Sequence, residues 1–132
     1  MVLTTDNAVL LLNKSVGWTS NQALQKIKHL LQAKKAGHTG SLDPFATGLL
    51  PVCLGKATKI AQKLIDADKT YIAHIYFGAS TTTGDPEGTW TSQNQPVPAK
   101  QEVMHTLDHF LGYSQQIPPM YSAIKFQGQP LY

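Results

Sequence analysis

The chain has 132 residues, of which 42% are hydrophobic, and that length fits one domain of roughly 100–200 residues. Its 11 Lys+Arg against 8 Asp+Glu leave a formal charge of +3, a mild basic excess that admits a polyanion partner without requiring one. The composition excludes a disordered chain, and the absence of any apolar run near the roughly 20 residues that span a bilayer excludes a transmembrane helix.

The N-terminus "MVLTTDNAVLLL" carries Asp6 and no basic start, so it does not read as a signal peptide, and a cytoplasmic protein is expected. "AVLLLN" (8–13) is a short apolar run that predicts a strand buried on both faces. "KSVGWTS" reads as a turn. Thr19 with Gln22 fits a capping box, opening a helix with Ala23, Leu24, Ile27, Leu30 and Leu31 at helical spacing and Gly37 as its stop. Lys26, Lys28, His29, Lys34 and Lys35 crowd this region, with no acid between Asp6 and Asp43. On charge alone they are a solvated helix face or a polyanion footprint. Cys53 has no partner for an internal disulfide, which suits a reducing compartment, and its neighbours Leu49, Leu50, Val52 and Leu54 mark it as a small buried hydrophobe.

Ala57, Ile60, Ala61, Leu64 and Ile65 predict a second helix. "TYIAHIYFG" (70–78) alternates as a strand, with Tyr71, Ala73, Ile75 and Phe77 on one face. "TTTGDPEGTW" is a polar turn leading to another extended piece. A further helix lies between Pro98 and Gly112, with Val103, Leu107, Phe110 and Leu111 as its buried stripe. "YSAIKFQGQPLY" reads as a strand, a turn at Gly128 and the start of another segment. Strands and helices mix without regular alternation, which predicts an α+β class with a mixed, mainly antiparallel sheet flanked by helices.

The chemistry concentrates in "KKAGHTGSLDPFATGLLP" (34–51), where three glycines surround one acid, Asp43. Glycine this dense disfavours helix and suits special backbone shapes or close approach to a ligand. "GHTG" matches the GxxG of KH-type RNA-binding loops, and "LGKATK" departs from the P-loop because Ala57 replaces the hydroxyl residue. His38, Asp43, Asp66, Asp68 and His74 lack metal-ligand spacing, so no metal site is expected. Pro44 pushes Asp43 out of the helical region, which projects its carboxylate from the loop. A carboxylate is an adequate nucleophile toward a sugar or ring carbon, but glycosidases pair two acids and this loop has one. By spacing alone, Asp43-Pro44 is a turn.

"AGHTGSLDPFATGLLPVCLGKATK" resembles the catalytic motif of the TruB family of bacterial tRNA pseudouridine synthases. "LLLNKSVGWTS", "DADKTYIAHIYFGASTTTGDPEG" and "QIPPMYSAIKFQGQPLY" agree with that family in order, so the resemblance runs from about Ala8 to Tyr132. It implies an incomplete pseudouridine synthase fold, with residues 1–132 as the N-terminal part of one catalytic domain. The remainder of that domain and a C-terminal RNA-binding domain would be missing from this stretch, leaving it inactive or nearly so. The implied reaction needs no cofactor: one uridine of the tRNA T-loop loses its N-glycosidic bond, the uracil turns, and a C5 linkage forms. Asp43 falls on the nucleophile, toward either the ribose or the base. No water is activated and no product leaves, which accounts for the missing second acid.

The same resemblance places Tyr71 against the target base, where it helps remove the C5 proton, and His38 in the gap that the extruded uridine leaves. Base flipping is required because a carboxylate cannot reach atoms inside a stacked loop. Lys34, Lys35, Lys56 and Lys59 become backbone contacts, Lys69 holds its strand or meets a phosphate, and Gly37, Gly40 and Gly48 allow close approach to RNA. Pro118, Pro119 and Tyr121 become structural, with Lys125 a further RNA contact. The implied partner is tRNA, with no membrane and no obligate protein partner. Lys14 is followed by Ser15 where the family commonly has proline, which predicts a looser turn, and Thr82 stands where an acid is common. A non-catalytic RNA-binding module of the same fold is the alternative, and a KH-like or phosphate-binding protein a third.

Overall fold

Thr19 opens the first helix as its spacing predicts. Its hydroxyl accepts the Gln22 N–H at 3.1 Å, and the Gln22 side chain accepts the Thr19 N–H at 2.8 Å. The computed structural model describes residues 7–117 and the backbone of 125–126 and 129–130. They divide into two compact units, residues 1–71 and 72–132. Helix α1 (Ser20–Leu30) stops well before Gly37, contrary to the expectation. Gln32 adopts a φ of +50° in its place, while Gln32 N–H donates to the His29 carbonyl and Ala33 N–H to that of Lys28. That pair of bonds is a Schellman closure, which here occurs without glycine.

The first unit is built on a three-stranded antiparallel sheet, order β1-β3-β2. Strand β1 (Asn7–Lys14) pairs along its whole length with β3 (Gly48–Gly55), from Asn7↔Gly55 to Lys14↔Gly48. Strand β2 (Ala36–His38) pairs with the other edge of β3, from Ala36↔Leu54 to His38↔Val52. Leu24 of α1 packs with Val52 and Leu54, and Ala8, Leu10, Leu12, Ile27, Leu31, Ala33 and Ala36 surround them. β1 is therefore not buried on both faces as its composition suggests. Among the described residues it is an edge strand with the helix on one side, and Val9 and Leu11 of the other face are exposed. Cys53 is fully buried, as expected, and burial pushes its thiol up from the ordinary range. Pro51 lies within the central strand, where its carbonyl accepts the Thr39 N–H at 3.1 Å.

After β3 the expected single helix divides into a 3-10 turn, Lys56–Ile60, and a short helix α2 (Ala61–Ile65). The Thr58 hydroxyl donates to the Gly55 carbonyl at 2.8 Å, a local bond that competes with regular helix hydrogen bonding.

In the second unit, strands β4 (Ser80–Thr81) and β5 (Trp90–Ser92) form a hairpin around the polar turn, with a register shift at Ser80/Thr81. The strand expected over 70–78 is not formed. Alternation makes a strand only where a neighbour takes up the ladder bonds, and no pairing involves this segment among the described residues. Helix α3 (Lys100–Asp108) lies between Pro98 and Gly112 as expected, and the Glu102 carboxylate accepts the Ala99 N–H at 2.7 Å. Its expected buried stripe is not buried: Val103 is half-buried, and Leu107, Phe110 and Leu111 are exposed. Strands β6 (Lys125–Phe126) and β7 (Gln129–Pro130) pair antiparallel. The α+β class holds, and among the described residues the pairing is antiparallel in three separate sheets.

Candidate functional site

The loop from Thr39 to Thr47 joins β2 to β3 and holds Asp43 near its middle. Gly40 at φ +116° and Gly48 at φ +131° bracket it, both in conformations that side-chain-bearing residues rarely adopt. Asp43 is exposed, and its carbonyl accepts the Ala46 N–H at 3.0 Å, closing a tight turn over Pro44 and Phe45.

Both neighbours of Asp43 are tied down. Leu42 is held by the buried Ser20 hydroxyl, which accepts its N–H at 2.8 Å and donates to its carbonyl at 3.0 Å. The Pro44 carbonyl accepts the Gly17 N–H at 2.8 Å and lies 3.5 Å from the Lys14 ammonium. Lys14 is 1% exposed and donates also to the carbonyls of Trp18 at 2.7 Å and Ser15 at 3.1 Å. The turn expected to be looser without its proline is thus pinned, because one ammonium gathers three carbonyls around it. Burial of such a group requires this kind of satisfaction. Lys14, Gly17 and Ser20 were not singled out as site residues from the sequence. For Ser20 there is a signal: it is a second hydroxyl directly after the cap residue, where the capping bond to the Gln22 N–H is already made by Thr19.

The other expected site residues are dispersed. His38 ends β2, opposite Val52, and its Nδ1 is buried with no hydrogen-bond partner among the described residues. Gly37 pairs with Cys53 in the same strand. Lys34 and Lys35 are exposed between α1 and β2, and Lys56 and Lys59 are exposed on the 3-10 turn. The Lys69 ammonium donates to the carbonyls of Ile65 and Ala67, so it closes the end of α2. Tyr71 is 69% exposed, and no strand pairing joins it to the Asp43 loop among the described residues. Thr82 accepts the Thr89 N–H at 3.1 Å, and Asp85 accepts from the Thr83 hydroxyl and the Glu87 N–H, so both stabilise the hairpin turn. Lys125 lies in β6, while Pro118, Pro119 and Tyr121 fall outside the described residues. Among the described residues no helix is long and apolar enough to cross a membrane.

The antiparallel α+β frame is shared with a known protein. A chain in the crystal structure of a Cbf5-Nop10-Gar1 complex superimposes with a TM-score of 0.63 at 30% identity, covering 93% of this chain and 32% of that one. Residues 28–132 match the N-terminal domain of the TruB family of pseudouridylate synthases, and the chain belongs to that family. It is 54% identical over 127 residues to a tRNA pseudouridine synthase B of Marinomonas sp. (strain MWYL1), and 56% identical over 126 residues to that of Thiobacillus denitrificans. Each alignment takes in 96% of this chain and 41% or 42% of the relative, so the chain spans about four-tenths of the length of these relatives.

Proposed function

We propose that the protein carrying this chain is a tRNA pseudouridine synthase that isomerises a T-loop uridine, with Asp43 as the nucleophile. Residues 1–132 are, on this reading, the N-terminal part of one catalytic domain. The N-glycosidic bond breaks, the uracil turns, C5 bonds to the ribose as Asp43 is released from its adduct, and the proton lost from C5 is matched by one gained at N1, so atoms balance without a cofactor. Tyr71 stacks on the flipped base, and His38 fills the vacated place. Lys34, Lys35, Lys56 and Lys59 meet backbone phosphates, and Lys69, Gly37 and Gly40 border the RNA.

The observation that carries this reading is Asp43 itself: an exposed carboxylate whose two neighbours are fixed to the rest of the fold. Fixed placement of a reacting group is worth several powers of ten in rate, and a merely solvated turn aspartate would not need it. Family membership and relatives named tRNA pseudouridine synthase B support the reaction class.

The test is Asp43→Asn in the polypeptide at its natural length. Pseudouridine formation in T-arm RNA is expected to fall by more than about 10³-fold, as loss of a nucleophile does, while RNA binding survives. Conversion at a comparable rate would remove Asp43 from the role. A wild-type protein that binds tRNA without making product would instead be a non-catalytic RNA-binding module.

A further inference from the structure

We infer that Ser20 is the positioning residue for Asp43, a reading that rests on Asp43 being the nucleophile. Ser20 is the first residue of α1 and follows the cap Thr19, whose hydroxyl already satisfies the Gln22 N–H. The Ser20 hydroxyl is therefore spare, yet the residue is only 5% exposed. It is spent on Leu42, the residue before Asp43, accepting the N–H at 2.8 Å and donating to the carbonyl at 3.0 Å.

A hydroxyl offers one donor and two acceptor sites, so a single oxygen serves both backbone groups of residue 42. The paired residue of a neighbouring strand would serve them in the same way. Two bonds to one residue fix its place and the rotation of both adjoining peptide planes. That rotation sets the direction in which the next Cα–Cβ bond, that of Asp43, leaves the loop.

On the far side, the Gly17 N–H holds the Pro44 carbonyl at 2.8 Å. Gly17, in the connection between β1 and α1, lies three residues before Ser20, the first residue of α1, so both neighbours of Asp43 are referred to one short stretch of chain. The Gly17 anchor is backbone and survives any change of side chain. The Ser20 anchor is a side chain and can be removed. Ser20 acts through Leu42 and has no contact with the reacting atoms to lose.

The experiment compares Ser20→Ala, Ser20→Thr and Asp43→Asn in the intact polypeptide, using single-turnover conversion of T-arm RNA, RNA affinity and thermal unfolding. Ser20→Ala is expected to lower the single-turnover rate about 10- to 100-fold, the order that a 1 Å misplacement causes, with RNA affinity within about twofold of wild type. Ser20→Thr keeps the hydroxyl and is expected to recover the rate to within about threefold. A Ser20→Ala rate within about twofold of wild type overturns the proposal, as does a rate loss matched by equal losses of RNA affinity and folded fraction. Should Ser20→Ala fail to fold, Ser20→Cys retains a weaker donor and acceptor, and an intermediate rate is expected. A wild-type rate in Ser20→Cys would overturn the proposal equally. If Asp43→Asn is inactive while Ser20→Ala is not impaired, the positioning role alone fails. If Asp43→Asn is active, the nucleophile reading beneath it fails.

Discussion

Residues 7–55 and residues 72–117 both carry runs of apolar side chains, and only the first of these regions buries them. Every fully buried side chain described, from Lys14 to Leu54, falls in the first region, where β1 and β3 pair end to end and α1 covers one face. In the second, Ile72 is 89% exposed, Tyr76 90% and Leu111 77%, although their alternation or spacing suits a strand or a helix stripe equally well. The difference lies in pairing. An alternating segment becomes a strand when another segment takes its N–H and C=O groups, and a helix stripe becomes core when a surface meets it.

Substitutions can break or sharpen this contrast. The largest effect is expected from Leu54→Ala, which empties part of the core and should cost about 2–5 kcal/mol, against a change within about 0.5 kcal/mol for Ile72→Ala. Urea unfolding of the two variants measures this directly, and equal losses would dissolve the distinction between the regions. A smaller effect, about 1 kcal/mol, is expected from Thr19→Ala, because the Gln22 N–H loses its acceptor at the start of α1. A drop in the unfolding midpoint by circular dichroism checks it, and no drop would show that packing of Leu24 alone holds the helix.

The smallest effect concerns Cys53. Burial raises its thiol pKa above that of the unfolded chain, near ~8.5, so the folded state keeps its proton while the unfolded state begins to release it. Stability is therefore full below that pH and declines as pH rises toward the folded value. Cys53→Ala should flatten the decline that sets in above the unfolded thiol's pKa of about 8.5 in paired urea titrations. An unchanged slope would place the alkaline loss elsewhere.

What the sequence alone discloses follows from how far each signal reaches. The box from Thr19 to Gln22 spans four residues, and it was legible. So were the turn at Asp43-Pro44, the helix between Pro98 and Gly112, and the buried Cys53 among its apolar neighbours. The end of α1 was not, because Gln32 takes a left-handed conformation usually reserved for glycine or asparagine, and the glycine that looked like a stop lies inside β2. The one-sided burial of β1 was not legible either, since an apolar run does not say which edge of a sheet it will occupy or on which side a helix will rest. Asp43 as a reactive group came from resemblance, because spacing alone describes a turn. The long-range ties of Lys14 and Ser20 to Pro44 and Leu42 cross about 30 and 22 positions of sequence, and no local pattern encodes them.

Pro51 has a consequence of its own. Along β3, Cys53 and Gly55 turn their backbone groups toward β2, and Pro51 is the next residue on that edge. It receives the Thr39 N–H but has no hydrogen to return, so the last rung is only half built. The zipper between β2 and β3 runs out of teeth there, and the chain peels away toward the aspartate. A ring nitrogen in mid-sheet, elsewhere a defect, here decides where the fabric opens.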